Sequence, residues 1–392
     1  MKYMVFKVTI FISLVLAAES GFAAKFLSSK VTVSILSPTP PIVGMPSWGQ
    51  NLAVGEWKEI PGTSLALCAP SVMFPNLLVN GPKEKIDAWN GLAIDPRDST
   101  IFSVANGGHR DWAGNEVNSI RLTDNAPKWI ERRPSSMESQ ILVDVPHYSD
   151  GAPTSRHSFN GVEFNLSRNR ILLMGGYMYG NGNFMSSMDA FDIAGNKYDP
   201  ANSFPDLLSS ESNGPGAPFV SDTNGNIYAF SNFSVDMWNA STNNWTQLLD
   251  NTYLYGYSAA AAFDSKRNRF LILGGSRSPG TAIGSVYDVA VKTLSAAKFS
   301  GLSDSVFDNV GGALIYDSNL DSFFFRRADT SGSAVVKIDA ATLNVSNFSV
   351  IGGASVPAAV NGLWKRWLYS PQLGGVFYIP SYASNVWFLR LR

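Results

Sequence analysis

The stretch AAAFDSKRNRFLILGG, residues 260–275, decides the fold. An apolar run closes at Asp264, the polar residues Ser265, Lys266, Arg267 and Asn268 form a turn, and a second apolar run over 270–273 ends in Gly274-Gly275. Two short buried strands joined by a tight turn fit this pattern. The same pattern is written five more times. Its turns start at Asp95, Asn165, Asp222, Asp264, Asp317 and Ser370, spaced between 42 and 70 residues apart. Asp and Asn suit that place because their side chains accept hydrogen bonds from the backbone two residues on.

Each hairpin is followed by a variable loop and a third apolar strand, expected at 117–122, 187–193, 235–239, 284–289, 334–338 and 385–391. A fourth, more polar strand is expected at 128–132, 197–199, 244–249, 293–298 and 346–350. The sixth unit ends at Arg392 without one. The orphan strand at 56–60, EWKEI, is the candidate to supply it. Four strands at a period near ~50 residues are the mark of a propeller blade, and blades arranged in a ring bury each other's faces. The expectation is an all-β, six-bladed propeller whose last blade is closed by the N-terminal strand; a seventh blade would need a hairpin within 62–88.

Composition agrees. The chain of 392 residues is 45% hydrophobic and 12% aromatic but 16% charged, with 34 glycines and 21 prolines, which favours β structure with many turns over solvated helices. A net charge of −1 and the lack of a basic block argue against a nucleic-acid partner. The opening residues carry Lys2 and Lys7, then an apolar run over 8–18 and small residues near Ser20 and Ala23. This pattern predicts a secretory signal peptide over 1–23 and a secreted or periplasmic protein. A Ser-, Pro- and Thr-rich linker is expected over 24–50, with the propeller domain over 51–392. Cys68 is the single cysteine, so no internal disulfide is available and stability must come from burial. No later segment is long and apolar enough for a membrane-spanning helix, and a monomer is expected.

With these elements in place the chain resembles the kelch-repeat β-propellers, the family of the galactose oxidase central domain and the sialic-acid mutarotases. The glycine pairs Gly107-Gly108, Gly175-Gly176 and Gly274-Gly275 carry the resemblance, with the aromatic pair Trp238 and Trp245 and its weaker counterpart Phe191 and Tyr198. Trp57 and Trp129 match the fourth-strand Trp, and Arg156-His157 match the Arg and His that precede a first strand. The third, fifth and sixth units lack the glycine pair. The resemblance implies that loops between second and third strands share one face with the connections between blades.

On that face 106–115 (NGGHRDWAGN) and 145–156 (VPHYSDGAPTSR) become neighbours. All three histidines fall there. His109, Arg110, Asp111, Trp112, His147, Tyr148 and Arg156 are the expected ligand-binding residues, since aromatic rings stack on sugars and Arg takes carboxylates. Tyr177, Tyr179, Arg277, Arg326, Arg327 and Tyr382 are further mouth candidates. Neither metal nor cofactor is expected: no dense motif such as His-Glu-x-x-His is present, and Cys68 lies outside the repeats, unlike the copper site of galactose oxidase. The function expected first is a binding module for a glycan, a small acidic ligand or a protein. The alternative is a non-redox, mutarotase-like enzyme acting on a sugar acid or another carbohydrate with Glu116, Arg156 and His157, ahead of a metalloenzyme. Asp317, Asn319 and Asp321 open like a calcium loop but lack its closing Glu, so a plain turn is expected.

Overall fold

In a computed structural model, residues 44–77, 79–208, 216–231, 234–250, 259–274, 284–307 and 311–392 are described. The signal peptide expected over 1–23, most of the linker, Gly275 and Arg277 lie outside them.

Six antiparallel sheets follow one another along the chain. Blade 1 runs Ala93–Asp95, Thr100–Val104, Val117–Arg121, Ile130–Arg133. Blade 2 runs Val162–Asn165, Arg170–Met174, Met188–Asp192, Lys197–Tyr198, and blade 3 Phe219–Ser221, Ile227–Phe230, Ser234–Asn239, Asn244–Asp250. Blade 4 is Ala259–Asp264, Arg269–Gly274, Gly284–Asp288, Thr293–Ala296. Blade 5 is Ala313–Asp317, Ser322–Arg326, Val335–Asp339, Asn344–Asn347, with Ser300–Gly301 added in parallel to its outer strand. Blade 6 is Trp367–Ser370, Gly375–Tyr378 and Val386–Arg390, and its fourth strand is Trp57–Ile60, paired antiparallel with Trp57 opposite Leu389 and Ile60 opposite Val386.

The strands are apolar on both faces because each blade has two neighbours. In Arg269–Gly274, Phe270 and Ile272 join Tyr228 and Phe230 of blade 3, while Leu271 and Leu273 join Phe323 and Phe325 of blade 5. The alternating pleat sends successive side chains into different interfaces. Each of the six blade contacts, including that between blades 6 and 1, has its own cluster of buried residues.

The closing strand is anchored on both sides. The Trp57 ring lies 5.7 Å from Trp367, its Nε1 donates to the Gly332 carbonyl at 3.0 Å, and the buried Arg326 guanidinium sits 3.9 Å from the Tyr378 ring centre nearby. The linker expected over 24–50 stops short at its C-terminal end. Ser47–Gly49 form a 3-10 turn whose Trp48 packs edge-on against Phe377 and Phe388, and its Nε1 donates to the Leu122 carbonyl across the joint between blades 6 and 1. An aromatic ring with an apolar joint within reach docks in it, whatever the Pro-rich sequence around it.

The six turn-starting residues are all buried and cap their own turns. Asp264 accepts from the amides of Lys266 and Arg267, and Asp317 from those of Asn319 and Leu320, so the calcium-like motif is a turn. Several of these turns also reach the next blade: Arg97 to Asn169, Asn165 to the Gly225 carbonyl, Arg267 to Asp321, and Ser370 to Ser99 across the closure. Asn165 also stands in an Asn-Leu-Ser glycosylation sequon, but its burial and this bond leave its amide no room for a glycan.

Candidate functional site

The face opposite these turns carries the loops between second and third strands and the connections between blades. Over blades 1 and 2 these segments are woven together. Arg156–His157 pairs with Tyr177–Met178, Asn106 bridges to Arg156, and the Gly107 and His109 amides donate to the Arg156 and Met178 carbonyls. The glycine pairs exist for this crossing: a Cβ on Gly108 would lie 2.3 Å from the His157 nitrogen, and one on Gly176 2.5 Å from the His157 oxygen. The loops 106–115 and 145–156, expected to be neighbours, do meet: the Ser155 hydroxyl donates to the Trp112 carbonyl and accepts from the Gly108 amide.

Not all the expected residues face solvent. Trp112 and Tyr148 are buried. The Trp112 indole donates to Glu116 at 3.1 Å and packs on Phe74, and the Tyr148 hydroxyl donates to the Ala113 carbonyl. Burial raises the Tyr148 phenol far above its ordinary value. Glu116 is sealed off too, paired at 3.0 Å with the fully buried Lys85, which also donates to Asn118. Arg156 is buried and tied to Asp189 at 2.7 Å, and His147 holds the other oxygen of the same carboxylate at 2.8 Å. Asp189 is held below the usual carboxylate range: burial acts to raise it, but Arg156 and His147 outweigh that. Of the further mouth candidates, Tyr179 and Arg326 are buried, and Tyr177, Arg327 and Tyr382 are half-buried. The burials of Trp112, Tyr179 and Glu116 follow from the irregular segment 62–92, which crosses over blade 1, packs Phe74, Val72, Leu77 and Val79 into one cluster with Trp112 and Tyr179, and brings Lys85 to Glu116.

His109 and Arg110 remain exposed, and Asp111 is half-buried beside them. Gly108, His109 and Arg110 carry consecutive positive φ of 74°, 40° and 61°. Two of the three are L-residues with side chains, and each such backbone costs about 1–2 kcal/mol. The His109 ring lies against Gly182, where a Cβ would meet it at 2.3 Å. Asp111 accepts from Asn80 and, at 2.7 Å, from the His157 Nε2. With a carboxylate as partner, Nε2 is the donor and Nδ1 keeps its lone pair. Burial lowers the His157 imidazole below 6.5, against the opposing pull of Asp111, so the ring is neutral at neutral pH.

Around this pair stands an aromatic cluster that sequence reading missed. Trp89 lies 5.4 Å from His157, His109 5.7 Å, and Phe159 6.1 Å; Phe159 in turn lies 5.0 Å from Trp364 and 5.7 Å from Tyr177. Trp89, Phe159 and Trp364 come from the connections leading into blades 1, 2 and 6, each six residues before its turn-starting residue, and each has positive φ (46°, 46° and 37°). Gly216 and Gly311 hold the same place before blades 3 and 5, with φ of 85° and 74°. The chain bends there into each innermost strand. Where the residue is aromatic, the bend gathers rings at the mouth of the ring, and Trp89 is left 36% exposed. The repeated Trp-Asn-Gly at 89–91 and Phe-Asn-Gly at 159–161 was the legible signal.

Among the described residues, no group of three or more His, Cys, Asp or Glu side chains is placed to hold a metal ion, and no helix is long and apolar enough to cross a membrane.

No protein-family model matches the chain, and no curated protein matches it. Among solved structures it is similar to a gluconolactonase from Xanthomonas campestris, at 10% identity and a TM-score of 0.45, over 77% of this chain and 86% of that one. At that level the likeness assigns neither family nor activity.

Proposed function

We propose that the protein is a carbohydrate-binding propeller whose site is the rim formed by Trp89, His109, Arg110, Asp111 and Tyr177. The observation that carries this reading is the left-handed run at Gly108–Arg110, with the His109 ring and the exposed Trp89 ring both set against His157. Backbone strain that the surrounding hydrogen bonds hold in place is concentrated where side chains must be presented in a fixed direction. A half-exposed indole gives a sugar face a stacking surface, and the imidazole, guanidinium and carboxylate beside it offer hydrogen-bond donors and acceptors for hydroxyls. Trp89→Ala and His109→Ala are expected to weaken binding of the best ligand from a glycan array about 10-fold or more each, consistent with the ~1–3 kcal/mol that one stacked ring supplies. Calorimetry measures this, and an unchanged melting temperature shows that the fold is retained. Equal affinity in both variants would reject this rim.

A second reading, acid–base chemistry on the bound sugar, is favoured by the 2.7 Å contact between a neutral His157 and Asp111. A buried imidazole whose Nε2 is fixed by a carboxylate has a basic Nδ1 for proton transfer. In that case His157→Asn abolishes turnover of the sugar while binding persists.

A further inference from the structure

We propose that the ligand of this rim carries a carboxylate, and that Arg110 is the residue that selects it, with Asn181 and Asp144 as positioning residues. This rests on the rim being a carbohydrate site.

Arg110 is exposed, and among the described residues its guanidinium donates only to the Asn181 Oδ1, at 3.4 Å. Among the described residues it forms no ion pair, although carboxylates stand close in the sequence and in space. Each of those is already committed. Asp111 is taken by His157 and Asn80. Asp144 accepts from the Asn181 amide at 2.8 Å, from the Asn181 Nδ2 at 2.7 Å and from the Asn183 Nδ2 at 3.3 Å. A guanidinium has five N–H donors in a fixed fork, matched to the two oxygens of a carboxylate. Here that fork is left with its donors largely unassigned.

Its direction is nonetheless set. Asp144 takes the amide hydrogens of Asn181, which fixes which end of the Asn181 amide is oxygen and turns Oδ1 toward Arg110. Asp144 is itself pinned, its amide donating to the Tyr179 carbonyl at 2.9 Å and its own φ at 56°. From the other side, the Gly108–Arg110 backbone is fixed by bonds from Gly108 to Ser155 and from His109 to the Met178 carbonyl. A surface arginine with no task needs neither a strained backbone nor a two-residue relay to orient it. The Tyr177 ring, 6.4 Å from that of His109, and the Trp89 ring, 5.4 Å from His157, supply an apolar wall for the rest of the ligand, so a sugar acid, with a ring to stack and a carboxylate to pair, matches both halves.

The test is a two-way cycle by calorimetry. Oligosaccharides of hexuronic acid, their methyl esters, and neutral oligosaccharides of the same linkage are titrated into the wild-type protein, Arg110→Gln and Asn181→Ala. Esterification and Arg110→Gln are each expected to weaken binding about 10- to 100-fold, the range for a charge-assisted hydrogen-bonded pair. The two losses do not add, because the ester has nothing left for Arg110 to read. Asn181→Ala is expected to narrow the preference for acid over ester without weakening ester binding. Equal affinity for acid and ester, or Arg110→Gln weakening both alike, overturns the carboxylate assignment while leaving the glycan reading intact. Arg110-dependent binding of sulfated but not carboxylated glycans also overturns it. Failure of every saccharide overturns both.

Discussion

At the scale of single residues, the charged groups of this chain divide into those that hold the face together and those it displays. Lys85–Glu116 and Arg156–Asp189 are fully desolvated pairs, and such pairs fix geometry more than they add stability. His157 belongs to both classes, since it is buried yet borders the exposed rim. Its imidazole is held below 6.5 chiefly by burial. Above about pH 6.5 the ring is neutral in the folded and unfolded states and contributes nothing to pH dependence. As the pH falls through that value, the unfolded chain takes up a proton that the folded protein refuses. Stability therefore drops with falling pH, by at most ~1.4 kcal/mol per pH unit from this one group, until the lower folded-state value is passed. Urea titrations between pH 5 and 7.5 should show a shallower slope in His157→Gln than in the wild-type protein. Parallel slopes would mean that His157 is solvated and charged in the fold.

At the scale of elements, the strand Trp57–Ile60 was legible because EWKEI alternates and blade 6 lacked an outer strand. The docking of Trp48 was not legible, since nothing in a Pro-rich stretch reports which joint a tryptophan finds. The two tryptophans should differ in weight. Trp57 is 5% exposed and interlocks with Trp367, Tyr378 and Val356, so Trp57→Ala leaves a cavity in the interface between blades 5 and 6 and is expected to cost ~3–5 kcal/mol. Trp48 is only half-buried, and Trp48→Ala should cost less, ~1–3 kcal/mol on the same reasoning. Chemical denaturation of the two variants measures both. An equal or reversed order would mean that the outer turn, rather than the closing strand, seals the ring.

At the scale of the whole molecule, a ring of blades has no strand edge at its closure and no free blade face. Removing residues 44–62 is expected to expose the apolar flanks of blades 1 and 6 together, since Leu52 and Ile60 belong to the cluster that joins them and Trp57 to the next. The loss should appear as a lowered melting temperature with self-association in light scattering, because large exposed apolar patches associate. A monomeric truncated protein of unchanged melting temperature would show that the ring closes without this segment.

The sequence by itself determined the number of blades, the limits of most strands and the source of the missing strand. These depend on short-range signals: period-2 apolar runs, Asp or Asn at the turn, and glycine pairs. It also placed the histidine-rich loops of blades 1 and 2 beside one another. Tertiary structure alone decided which of those residues face a ligand. Trp112, Tyr148, Glu116 and Arg156 read as mouth residues by position, yet the segment 62–92 folds over blade 1 and buries Trp112 against Phe74 and Glu116 against Lys85, while Tyr148 turns in to the Ala113 carbonyl and Arg156 closes on Asp189. Trp89, by contrast, reads as an ordinary aromatic before a strand. Only the left-handed bend into blade 1 leaves its ring at the rim, beside His157, because exposure depends on which segments cross overhead and not on the residues next to it in the chain.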